Sequence, residues 1–93
     1  MTFESLGIIE TSSVSASLKT LSGIAKEKEI EIVGKQILGG GIVTLYIKGE
    51  LGAIKRAISF GKDSLDLKSD FRSSNIIPLP HQQLLLKIGM EKL

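Results

Sequence analysis

The stretch Ile30-Glu31-Ile32-Val33-Gly34-Lys35-Gln36-Ile37-Leu38-Gly39-Gly40-Gly41-Ile42-Val43-Thr44-Leu45-Tyr46-Ile47-Lys48 decides the architecture. Three consecutive glycines in a helix interior or strand centre would each cost roughly 0.5 to 1 kcal/mol relative to alanine, so Gly39, Gly40 and Gly41 form a loop. Downstream, Ile42 to Lys48 alternates: Val43, Leu45 and Ile47 face one way and Thr44, Tyr46 and Lys48 the other, the period of a strand. Upstream, Ile30, Ile32 and Val33 sit among charges in a segment richer in β-branched residues than in helix formers, and read as a strand running to about Leu38. The glycines therefore turn a hairpin.

Outward from it, the chain changes period twice. Phe3 to Ile9 is short and mostly apolar, with Gly7 marking a close backbone approach, and reads as a strand. Ser12 or Ser13 can cap a helix whose apolar stripe is Val14, Leu18, Leu21, Ile24 and Ala25, ending near Lys28. After Gly49, the spacing of Leu51, Ile54, Ile58, Gly61 and Leu65 predicts a second amphipathic helix. A polar loop spans Asp66 to Asp70. Phe71 to Ile77 forms a fourth strand, stopped by Pro78-Leu79-Pro80, and His81 to Ile88 forms a short terminal helix. The order β-α-β-β-α-β predicts an α+β fold of the ferredoxin-like (split β-α-β) type. Its four-stranded antiparallel sheet carries two main helices on one face, plus the short C-terminal helix.

The 93 residues leave room for one domain, 1–93. A composition of 42% hydrophobic and 24% charged residues excludes a disordered or fibrous chain. A domain this small buries only about two thirds of its unfolded surface, and without cysteine no disulfide offsets that, so oligomerisation is a natural source of stability. The only aromatics are Phe3, Tyr46, Phe60 and Phe71, which calls for an aliphatic core and denies the stacking platforms of single-strand binders. Lysines and arginines exceed acids by only two and are dispersed, so no nucleic-acid partner is expected. The acidic N-terminus is unlike a signal peptide, and no apolar stretch approaches the ~20 residues that span a bilayer. A cytoplasmic protein with no membrane partner is expected.

No catalytic or metal constellation emerges from the residues. The triple glycine precedes a strand, whereas a dinucleotide loop opens a helix. Gly61-Lys62 is followed by Asp63 where a phosphate loop needs a hydroxyl for magnesium. His81 is the sole histidine, so one chain cannot supply a two-histidine metal site, and its place after Pro80 fits a cap or an interface. Glu27, Glu29, Glu31, Asp63, Asp66 and Asp70 sit beside lysines or serines and read as solvated; the cluster Thr11-Ser12-Ser13-Val14-Ser15 reads as helix capping. No enzyme activity and no cofactor are expected.

Four fragments carry more than this. Ser5-Leu6-Gly7-Ile8-Ile9-Glu10-Thr11, Gly39-Gly40-Gly41-Ile42-Val43-Thr44, Lys48-Gly49-Glu50-Leu51-Gly52-Ala53 and Ile76-Ile77-Pro78-Leu79-Pro80-His81, in this order and spacing, resemble the bacterial microcompartment shell proteins of the single-domain, hexamer-forming type. The resemblance runs from about Phe3 to Ile88. It implies a homohexamer that tiles with other shell proteins into the facets of a bacterial microcompartment around encapsulated enzymes. It also implies a central pore for small polar metabolites, lined by Leu38, Gly39, Gly40 and Gly41. Inter-hexamer edge residues map onto Lys26, Leu79, Pro80 and His81. Two departures stand out. Many relatives carry a serine between the pore glycines and a lysine before the loop, where this chain has Gly40 and Ile37-Leu38. Relatives also often have an edge arginine where this chain has Leu79. The first makes the pore less positive and points to a catabolic metabolosome rather than a carboxysome; the second removes a bidentate donor from the edge. The competing expectation is a ferredoxin-like small-molecule-binding regulatory module whose glycines form a ligand loop.

Overall fold

The computed structural model describes residues 4–78, and the helix expected over His81 to Ile88 lies outside them. Strand β1 (Glu4–Thr11) leads into helix α1 (Val14–Ile24), strand β2 (Ile30–Ile37) and strand β3 (Val43–Glu50), followed by helix α2 (Leu51–Asp63) and strand β4 (Phe71–Pro78). The sheet order is β2-β3-β1-β4, every neighbouring pair antiparallel, as the ferredoxin-like expectation requires.

The alternation in β3 sorts the two faces. Val43, Leu45 and Ile47 join Ile9, Ile24, Ile54 and Ala57 in an aliphatic core between the sheet and both helices. On the far face, Leu6 and Tyr46 are buried, with Ile8 and Val33 packed against them. Gly7 is where α2 comes down onto the sheet: a Cβ there would stand 2.8 Å from Ile47 and 2.9 Å from Ile54. Lys48 bridges three strands, its ammonium 3.5 Å from Glu4 on β1 and 3.3 Å from Glu31 on β2. Burial works against its charge, but the two carboxylates outweigh it and hold the lysine above its ordinary range.

Several boundaries and one helix face differ from the sequence expectation. Helix α1 ends at Ile24 rather than near Lys28, where the backbone turns through Ala25 and Lys26. Its buried face is Ala16, Ser17, Thr20, Gly23 and Ile24; Val14 is 49% and Leu18 62% exposed. The reason is close helix packing: a Cβ on Gly61 of α2 would meet Thr20 at 2.9 Å, and one on Gly23 of α1 would strike the Phe60 carbonyl. Small side chains turn inward because only they fit, which rotates the larger ones out. Leu51, read as part of the α2 stripe, is likewise exposed. Strand β1 extends two residues past Ile9, and β4 runs through Pro78, tolerated because β4 is an edge strand. Ser13 is the cap of α1, its hydroxyl accepting from the Ala16 N–H at 3.0 Å.

Candidate functional site

The hairpin tip between β2 and β3 is a tight turn built on glycine conformations. The Leu38 N–H donates to the Ile42 carbonyl at 2.7 Å and the Gly41 N–H to the Leu38 carbonyl at 3.3 Å, closing the loop on itself. Gly40 takes φ 79° and ψ 9°, the third-position geometry of a type II turn, and Gly41 takes φ 82°. Side-chain-bearing residues rarely adopt these angles, so the second and third glycines are required by the backbone. Gly39 has an ordinary φ. All three are exposed, and a Cβ on any of them would meet no atom within 4 Å. Beside them Ile37 is 62% and Leu38 44% exposed, and no residue from Gln36 to Ile47 is formally charged. The loop thus presents backbone polar groups beside two exposed aliphatic side chains.

The second group of predicted residues lies at the other end of the sheet. Lys26 is exposed in the turn after α1, ahead of the first residue of β2, whereas the glycines follow its last. The eight residues of β2 set its two ends about 25 Å apart. The ladder places Ile30, Gly49, Ser5 and Pro78 in one row across the sheet, so β4 also finishes at the Lys26 end. Leu79, Pro80 and His81, predicted edge residues, lie outside the described residues. The structure therefore places the glycine turn and Lys26 at opposite ends of the sheet and does not gather them into one cleft. Among the described residues, no three histidines, cysteines, aspartates or glutamates converge as they would for a metal ion.

One side-chain pairing near Lys26 escaped the sequence. Glu27, read as part of a solvated run, has a side chain only 9% exposed, and Arg56 on α2 donates from Nε to its Oε2 at 2.7 Å. Its other oxygen accepts from the Glu29 N–H at 3.2 Å. Hydrogen bonding to Arg56 holds the Glu27 carboxyl below the usual carboxylate range, and the same contact raises Arg56. The partners are 29 residues apart in the chain, and no local pattern announces them. Asp66 and Asp70 are likewise paired, with Lys19 at 3.0 Å and with the Ser12 hydroxyl at 2.7 Å.

The sequence pattern of the BMC domain matches residues 5–80, and the chain belongs to that family of bacterial microcompartment shell proteins. It is 32% identical to the carboxysome shell protein CsoS1B of Hydrogenovibrio crunogenus over 94% of this chain and 91% of that one. It is 30% identical to the bacterial microcompartment shell protein PduA of Citrobacter freundii over 84% of each chain. A solved microcompartments protein from Desulfitobacterium hafniense superposes with a TM-score of 0.81 at 20% identity, over 99% of this chain; the chain spans 51% of that longer protein. The protein is a shell protein of a bacterial microcompartment.

Proposed function

We propose that the chain acts as one 93-residue domain that closes into a cyclic homohexamer, with the glycine turn around the sixfold axis and the Lys26 end at the rim. The observation that carries this is that the glycine turn and Lys26 stand at opposite ends of β2. A ring needs one end of each subunit at the centre and the other at the periphery, and head-to-tail contacts that close generate one. Six copies of the turn would line an opening with Leu38 and the backbone of Gly39, Gly40 and Gly41. Ile37 stands at its margin, and along the hairpin no formal charge comes before Lys35 on β2 or Lys48 on β3. Such an opening discriminates by size and by hydrogen bonding, and passes small polar metabolites without attracting ions.

At the rim, Lys26 with Leu79, Pro80 and His81 would meet the neighbouring hexamer, so that rings tile with other shell proteins around encapsulated enzymes. Leu79 supplies no bidentate donor, which leaves Lys26 with a larger share of the edge contact. The catabolic compartment expected from the sequence is not favoured, since carboxysome relatives match at least as well as PduA. The function proposed is therefore that of a structural, non-enzymatic shell component. Lys26→Asp tests the rim: rings of unchanged mass that no longer form sheets or tubes in electron micrographs are expected, and sheets indistinguishable from wild type would remove Lys26 from the edge.

A further inference from the structure

We infer that Arg56 is a positioning residue for the assembly edge, acting through Glu27 to hold the turn that presents Lys26; the inference rests on the edge proposed above. Both oxygens of the Glu27 carboxylate are engaged, Oε2 by Arg56 Nε at 2.7 Å and Oε1 by the Glu29 N–H at 3.2 Å. The carboxylate therefore ties the turn to itself and straps it to α2. The backbone is held from the other side as well: the Lys26 N–H donates to the Gly23 carbonyl and the Glu27 N–H to the Ile24 carbonyl, each at 3.0 Å. Lys26 itself pairs with no carboxylate among the described residues, while its immediate neighbour Glu27 is committed to Arg56.

Two consequences follow from this arrangement. The turn connecting α1 to β2 is short and exposed, and an isolated exposed lysine on a loose turn would lose much conformational freedom on docking. Pinning the turn in advance reduces that loss. Arg56 also occupies the carboxylate closest in sequence to Lys26, leaving the ammonium available to a partner. Both effects act on association between rings and neither on the core, since Arg56 is more than half exposed and the core cluster does not include it.

The test is a double-mutant cycle of Arg56→Gln and Glu27→Gln, read by solution mass, by amide hydrogen exchange over residues 25–29, and by the threshold protein concentration for sheet formation. Each single variant is expected to keep the mass of wild type and to melt only slightly below it at neutral pH, to speed exchange in the turn, and to raise the threshold by about twofold to fivefold, the range of a surface ion pair. The double variant is expected to be no worse than either single one, because the two residues act as a unit. Faster exchange with an unchanged threshold would reduce the pair to a structural tether and overturn the inference. So would additive thresholds. Wild-type rings that never form sheets would overturn the edge assignment itself and this inference with it, whereas wild-type sheets matched by Arg56→Gln would overturn this inference alone.

Discussion

At the scale of the residue, the glycine turn separates positions that look equivalent in sequence. Gly40 and Gly41 lie in the left-handed region and Gly39 does not, although all three face open space. Gly40→Leu is therefore strained by about 1 to 2 kcal/mol whatever room it has, while Gly39→Leu introduces the same bulk without that strain. Gly39→Leu is expected to leave the melting temperature unchanged and to reduce solute conductance through rings inserted in a planar bilayer; undiminished conductance would take the turn away from the pore. The need for glycine was legible in the run itself. Which of the three could carry a side chain was not, because that depends on backbone angles set by the Leu38 and Ile42 hydrogen bond. Glu27 was misread for a related reason: its partner comes from a distant helix, so its covered and paired state appears only once α2 is packed. The same pairing sets a sign for pH. A carboxyl lowered in the folded state stabilises above its unfolded value and ceases to as acid protonates it, so the stability difference between wild type and Glu27→Gln is expected at neutral pH and lost well into the acid range, as thermal melts would record.

At the scale of the element, the contact between α1 and α2 governs which faces are buried. Strand positions were recovered from alternation because a period of two leaves only two faces: Val43, Leu45 and Ile47 of β3 join the main core and Tyr46 the smaller cluster on the other face, although both faces are covered there. The face of α1 was not recoverable in the same way. Val14 and Leu18 form a plausible apolar stripe, yet Gly23 and Gly61 bring the helices so close that Ala16, Ser17 and Thr20 take the interior. Gly23→Ala should be destabilising by about 1 to 3 kcal/mol, since the new methyl group meets backbone that cannot move aside; a melting temperature equal to wild type would show that the helices separate freely. Thr20 provides the opposite case. It is fully buried on this contact, and its hydroxyl has no partner among the described residues. Thr20→Val keeps the shape and removes the orphan group, and is expected to stabilise by about 1 kcal/mol. A loss of stability in urea unfolding would mean that the hydroxyl is satisfied in solution.

At the scale of the whole molecule, a chain of 10.0 kDa has only a small core to stabilise it. The core is aliphatic and confined to the helix-covered face, with a second, smaller cluster on the other. Large apolar side chains at Val14, Leu18, Ile37, Leu38 and Leu67 remain exposed in the single chain, the condition under which association adds stability. The family was legible because four short fragments keep their order and spacing along the chain. The pairing of Glu27 with Arg56 was not legible, because it joins residues 29 apart in the chain with no local pattern between them. The measurement that tests the central claim most directly is the solution mass of the purified protein by light scattering across a range of concentration and salt. A species of about 60 kDa, six chains closed into a ring, with larger assemblies growing in as concentration rises, is the predicted result. A monomer or dimer that persists at every concentration would contradict it, since no ring and hence no central opening could then exist.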